Sequence, residues 1–245
     1  MIERLIEEHL KGFTGTRILD VGPGYSEFSR CSARVIGASS ITILDNDADV
    51  LAFQAERNRL EGIRTESISA LIGTDTIGAL AGQFDLIHCQ EVLEHLPEAE
   101  VVLAALASKL TKRGRVIVTV PTARSERIIR FINPGYMRHE QFGHVREFDG
   151  EGLRKILAQA GLVPEILIPA QPHYFLAHLW FFGTRTPLQG STGRVSGVGF
   201  RQKVFALVLR STSGAFAATG FRFWSRLFPR NYFAIARRGP GADTR

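Results

Sequence analysis

Short apolar runs alternate along this chain with amphipathic stretches, and polar or glycine-containing breaks separate them. Segments near 17–21, 41–44, 64–68, 84–89, 115–120, 163–168 and 232–236 read as strands by length and content. Segments near 2–11, 26–36, 48–60, 98–109 and 150–160 read as helices. The last is the best marked: Leu153, Ile156, Leu157 and Ala160 fall at helical spacing, Asp149 offers an N-cap and Gly161 a stop. Alternating strands and helices predict an α/β fold, a parallel sheet covered on both faces. No internal repeat or low-complexity segment interrupts it.

Between the sixth and seventh strands lie some 60 residues, about 170–230. Connections in compact domains usually take about 4–6 residues, so this one is expected to be structured or functional. The chain reads as a single domain, 1–245, with 170–230 as a basic, aromatic-rich insert within it. Residues 166–184 carry no formal charge, yet Pro169, Gln171, Pro172, His173 and His178 make a poor spanning helix, which needs about 20 predominantly apolar residues. Residues 199–210 and 221–228 mix bulky apolar groups with cations, as helices at a bilayer interface do. A lid over the active site is the favoured reading, because the last strand must return to the sheet and draw the insert towards the core.

Composition narrows the class. At 245 residues and 44% hydrophobic, the chain can bury a sizeable core and is not disordered. Cys31 and Cys89 are its only cysteines, so no disulfide framework is expected and a reducing cytoplasm is. The N-terminal segment is an acidic amphipathic helix without a basic leader or an unbroken apolar run, which argues against secretion. Charge is lopsided. Residues 170–245 hold 11 of the 30 Lys and Arg, 14 of the 23 aromatics and one acid, Asp243, for a net +10; residues 1–169 are at −4. A charge run is usually a solvated face. One so one-sided also suits an anionic partner, namely a phospholipid surface, a lipid-linked substrate or a nucleic acid. The expected location is cytoplasmic, with peripheral contact at the inner face of an anionic membrane.

The most informative stretch is Ile18-Leu-Asp-Val-Gly-Pro-Gly24. A short buried strand runs into Gly22 and Gly24, where the backbone turns and something comes close to it. The dinucleotide fingerprint would place a third glycine at position 27, which is Glu27. A carboxylate there is a poor neighbour for a pyrophosphate and favours a nucleotide without phosphates, such as S-adenosylmethionine. Asp45 ends the second apolar run, Ile41-Thr-Ile-Leu44, where a carboxylate can take both hydroxyls of a ribose.

With Phe84-Asp-Leu-Ile-His-Cys89, Gln90-Glu-Val-Leu-Glu-His-Leu96 and Gly114-Arg-Val-Ile-Val118, the chain resembles a class I S-adenosylmethionine-dependent methyltransferase over about 15–168 and again over 231–238. The resemblance implies a Rossmann-like seven-stranded sheet whose last strand inserts antiparallel. It implies that Asp20 accepts from the methionine amino group, that Gly22 and Gly24 admit the amino-acid portion, that Asp45 takes the ribose and that Gln90 contacts the cofactor. The family's acid after the third strand is missing from Ile68-Ser-Ala-Leu71, which leaves adenine to Ser69, the Ala70 backbone or Asp75.

Glu91, Glu94 and His95 stand at i, i+3 and i+4, which on a helix is one face, and together could hold a divalent cation such as Mg²⁺, or Zn²⁺. The loop at 138–148 adds His139 and His144. This combination resembles the ubiquinone-biosynthesis O-methyltransferases, with Glu-x-x-Glu-His in this place, and the small-RNA 2′-O-methyltransferases, which add a downstream histidine matching His144; both imply a metal, held by Glu91, Glu94 and His95 and, on the second resemblance, His144. Leu-Glu-His-Leu is also common in the superfamily without a metal. His144 or His139 then becomes the general base, imidazole being suited to proton transfer near neutral pH. His88 reads as structural, and His173 and His178 as lid residues. His-Val-Arg-Glu-Phe at 144–148 also looks like methyltransferases encoded with surface-polysaccharide enzymes. Three functions compete: O-methylation of a small or lipid-linked acceptor of sugar or quinol type, 2′-O-methylation of RNA, and a non-catalytic methyltransferase-like scaffold. The intact Asp20, Gly22, Gly24 and Asp45 argue against the last.

Overall fold

The strands nearest the glycine turn are apolar on both faces, and a strand like that must lie mid-sheet under two layers. In the computed structural model, which describes residues 2–132, 143–171, 225–227 and 229–240, they do. Strands β1 (Arg17–Val21), β2 (Ser40–Asp45), β3 (Arg64–Ser69), β4 (Phe84–Gln90), β5 (Leu110–Pro121), β6 (Leu162–Ala170) and β7 (Asn231–Arg238) form one sheet in the order β3-β2-β1-β4-β5-β7-β6. β7 alone runs antiparallel to its neighbours, between β5 and β6, as the resemblance implied. β3, the Arg-Thr-Glu-Ser-Ile-Ser edge, is mostly exposed.

The helices cover both faces. α1 (Ile2–Leu10) buries Ile2, Leu5, Ile6 and Leu10 in one stripe and packs against α2 (Phe28–Ile36). With α3 (Ala48–Leu60) they close one core around Ile18, Ile43, Leu86, Ile117 and Phe233. α4 (Thr74–Ala79), α5 (Ala99–Ser108) and α7 (Gly150–Gln159) close the other, around Leu19, Leu44, Ile87, Val118 and Ala234. α7 starts at Asp149, whose carboxylate accepts from the Gly152 N–H at 2.7 Å, as its spacing foretold.

Two helices were not among those expected: the short α4, and α6 (Ala123–Ile132), which begins directly after β5, where Thr122 Oγ1 accepts from the Ser125 N–H at 3.1 Å. β5 is also longer than the 115–120 run. Phe84 pairs with Leu110 and Leu86 with Arg115, so residues 111–114 loop out opposite Asp85 alone. Of the 170–230 insert, only 170–171, 225–227 and 229–230 are described; the expected lid, His173 and His178 otherwise lie outside the described residues, as does His139. Among the described residues no helix is long and apolar enough to cross a membrane.

Candidate active site

The strand order reverses between β1 and β4. At such a switch point the loops leaving the carboxyl ends of neighbouring strands diverge to opposite faces and open a crevice. The glycine turn leaves β1 on one side of it, and Gln90 ends β4 on the other. Gly22 and Gly24 both have positive φ, +62° and +51°. A Cβ on Gly22 would lie 2.7 Å from Val92 Cγ2, whereas one on Gly24 would meet nothing within 4 Å. Gly22 is therefore required by packing, and Gly24 leaves open space in front of the backbone.

The turn is held from below. Gln54 on α3 donates to the carbonyls of Gly24 (2.6 Å) and Ser26 (2.9 Å) and accepts from the buried Arg30 on α2. Arg30 also pairs with Glu61 at 3.4 Å. Asp20 is buried in β1, and burial lifts its pKa to about 7 even though Ser29 donates to it and Arg30 lies near. Asp45 is buried at the tip of β2. The Asp47 N–H donates to it at 2.9 Å, and burial raises its pKa despite that bond and the nearby Gly24 amide. Asp47 caps α3, accepting from the Asp49 and Val50 N–H groups, so Asp45 is not the cap.

Gln90 is oriented by a histidine that the sequence marked only as structural. Gln90 Nε2 donates to His88 Nδ1 at 2.6 Å, so His88 carries its proton on Nε2 and donates it to Ser32 Oγ at 2.9 Å. Burial lowers the His88 pKa to about 3, which keeps it neutral. Gln90 Oε1 is left without a partner among the described residues.

Beyond Gln90 the expected helical face does not form. Glu91 takes a left-handed φ of 54°, and Leu93–His95 is a single 3-10 turn. Glu91 therefore turns aside, accepting from Thr119 Oγ1 (3.0 Å) and Asn231 Nδ2 (2.6 Å). It stands outside the set that does converge: Glu94, His95 and His144, whose ligand atoms lie within 4.8 Å of one another. The His95 and His144 rings meet edge to face at 4.8 Å. The Glu94 main-chain carbonyl accepts from the Val145 N–H at 2.8 Å, and Phe148 O accepts from the Ala123 N–H at 2.7 Å, which pins the 143–148 loop against α6. Glu94 is fully buried, neither carboxylate oxygen bonds another described residue, and burial, with the neighbouring Glu91, raises its pKa well above its ordinary value.

The sequence missed three further participants. Glu126 on α6 accepts from His144 Nδ1 at 3.2 Å and from Arg230 Nη1 at 2.7 Å, and both partners of that second bond are buried. Arg230 also reaches Ser125 Oγ at 3.4 Å. Asn231 binds Glu91 as above. Two signals were present: a lone Glu within Ala-Arg-Ser-Glu-Arg-Ile-Ile-Arg, and an Arg-Asn pair at the start of the last strand.

Residues 1–165 match the model of a methyltransferase domain family, and the chain belongs to that family. The ubiquinone biosynthesis O-methyltransferase of Erwinia tasmaniensis is 32% identical over 109 residues, 44% of this chain and 43% of that protein. The chain spans half or less of the length of the curated relatives it matches. Among solved structures, the cyclase SpnF superposes with a TM-score of 0.60 at 17% identity, over 98% of this chain and 81% of that one. A geranyl diphosphate methyltransferase in complex with S-adenosylmethionine does so with a TM-score of 0.58 at 14% identity, over 97% and 84%. The fold is that of the class I S-adenosylmethionine-dependent methyltransferases. One neighbour being a cyclase, the fold alone fixes no reaction.

Proposed function

We propose that the chain transfers a methyl group from S-adenosylmethionine to a hydroxyl oxygen of a small or lipid-linked acceptor, of sugar or quinol type. The observation that carries the acceptor half is the buried relay Arg230–Glu126–His144. With Glu126 accepting from Nδ1–H, His144 keeps Nε2 to take the acceptor's proton, and Arg230 supplies the countercharge that a buried carboxylate needs. The cofactor half fits on two features among the described residues: the open space before Gly24 and the unpartnered Gln90 Oε1. Asp45 would take the ribose hydroxyls, Asp20 the amino group and Gln90 Oε1 a donor, while Gly22 and Gly24 admit close approach. When bound, the cofactor supplies a methyl group activated by a sulfonium.

A second reading has its own observation, the buried Glu94 carboxylate, without a hydrogen-bond partner among the described residues, beside two imidazoles. Glu94, His95 and His144 could hold a divalent cation, with Glu126 orienting His144 behind it. One oxygen and two nitrogen donors match Mg²⁺ poorly, since Mg²⁺ takes oxygen ligands; they suit Zn²⁺ or Mn²⁺ better. Such an ion would lower the acceptor hydroxyl's pKa.

Calorimetry and turnover test both readings. S-adenosylhomocysteine should bind and NAD should not; NAD binding alone would sink the cofactor reading. Turnover retained in excess chelator and lost by about 10²-fold or more on His144→Ala supports the base. Loss with chelator and recovery with Zn²⁺ or Mn²⁺ supports the metal. Cofactor binding without turnover on any hydroxylated acceptor would favour the scaffold.

A further inference from the structure

A cleft of about 610 Å³ lies at the opposite end of the sheet from the active site. That volume is within the range of small-ligand sites. Arg115 and Arg237 face each other in its wall, while the same strand pair reaches the active-site edge at Pro121 and Asn231. Six residues of strand, at about 3.3 Å each, put roughly 20 Å between the two ends.

Two irregularities in the sheet build the cleft. In β5, residues 111–114 loop out and carry Lys112 and Arg113 into it, both exposed. Gly114 makes that excursion feasible, because a Cβ there would lie 3.0 Å from Phe84 O and from the Thr111 N. In β6, the register shifts between Pro164 and Ile166, and the intervening Glu165 turns into the cleft. Bulges of this kind re-aim side chains. Glu165 clamps both wall arginines, Arg115 at 2.7 Å and Arg237 at 3.4 Å, one on each carboxylate oxygen. The Arg115 guanidinium also lies over the Phe13 ring, 4.6 Å from its centroid. Lys11 adds a fifth Lys or Arg, so among the described residues the lining carries five cations and one acid. Lys11, Lys112 and Arg113 have no ion-pair partner among the described residues.

The geometry points to a second binding site, for a diphosphate group. Two guanidiniums are already fixed by an acid and a ring, so little order is lost when they meet an anion. The remaining three cations come from two other segments, a spread that matches a ligand with several anionic oxygens on two centres better than one carboxylate.

Calorimetry of the full chain with inorganic pyrophosphate, at matched ionic strength against sulfate and succinate, tests this. The expected result is saturable 1:1 binding at least tenfold tighter than sulfate, weakened at least tenfold by Lys112→Ala with Arg113→Ala and by Arg237→Ala. Affinity for S-adenosylhomocysteine should stay within twofold in both variants, which also shows that they fold. Two further arms identify the source of the diphosphate. Uridine diphosphate displacing pyrophosphate, with no recruitment to vesicles, indicates a soluble ligand. Recruitment to vesicles carrying a polyprenyl diphosphate, and not to plain phosphatidylcholine vesicles, indicates a lipid-linked one. Pyrophosphate binding no tighter than sulfate, or indifferent to both variants, overturns the proposal.

Discussion

Asp20 is a carboxylate placed where a charge is poorly solvated. Its folded pKa, about 7, is above the unfolded value near 3.9, so folding favours the protonated form. Its stabilising contribution is complete below about pH 4 and is lost as the pH rises through about 7. Asp20→Asn should therefore raise the stability of the cofactor-free chain at pH 8 and change it little at pH 4, as urea midpoints would show. If Asp20 receives the cofactor's ammonium, it must be ionised to do so. Its ionised fraction climbs from about a tenth at pH 6 to about nine-tenths at pH 8, so affinity for S-adenosylhomocysteine should rise about tenfold and the Asn variant should be flat. A flat wild-type profile would remove Asp20 from the cofactor site. Asp20, Asp45 and Gln90 were legible in sequence because each sits at a strand end beside a marked turn. Arg30, Gln54, Glu126 and Arg230 were not. Most of their partners stand 18 to 105 residues away, and a polar residue within a helix, as Arg30, Gln54 and Glu126 are, looks like solvent face until the fold is known.

At the scale of elements, the glycine turn makes two separable demands. Gly22→Ala must bear a left-handed φ, about 1–2 kcal/mol, and a methyl 2.7 Å from Val92. Gly24→Ala bears the φ cost alone, with its methyl in open space. Gly22→Ala should thus lose more stability. Gly24→Ala should fold and still lose cofactor affinity by tenfold or more; unchanged binding would show that the space before Gly24 is not the cofactor's. The strands were legible because their apolar runs are bounded by turns. α6 was not, since Ala-Arg-Ser-Glu-Arg-Ile-Ile-Arg-Phe-Ile follows a strand with no glycine or proline break except Pro121. The i, i+3, i+4 spacing of Glu91, Glu94 and His95 misled for a related reason: spacing assumes a helix, and a left-handed Glu91 followed by one 3-10 turn breaks the assumption.

At the scale of the molecule, β7 lies buried between β5 and β6, with Phe233, Ala234, Ile235 and Ala236 in the two cores. β6 and β7 are adjacent in space but separated by 60 residues of chain, 171 to 230. On a ribosome, where roughly 5–20 residues are added each second, β5 and β6 emerge several seconds before the strand that joins them. During that interval each offers an unpaired, apolar edge, the kind of surface that seeds aggregation. Nascent chains stalled before residue 231 should be open to protease at β6 and held by chaperones, and chains stalled on a linker appended after residue 245, long enough to carry β7 out of the ribosome, should not; equal protection at both lengths would show that the sheet closes without β7. The order of synthesis thus makes the insert a timer, setting how long an unfinished sheet must be kept out of trouble.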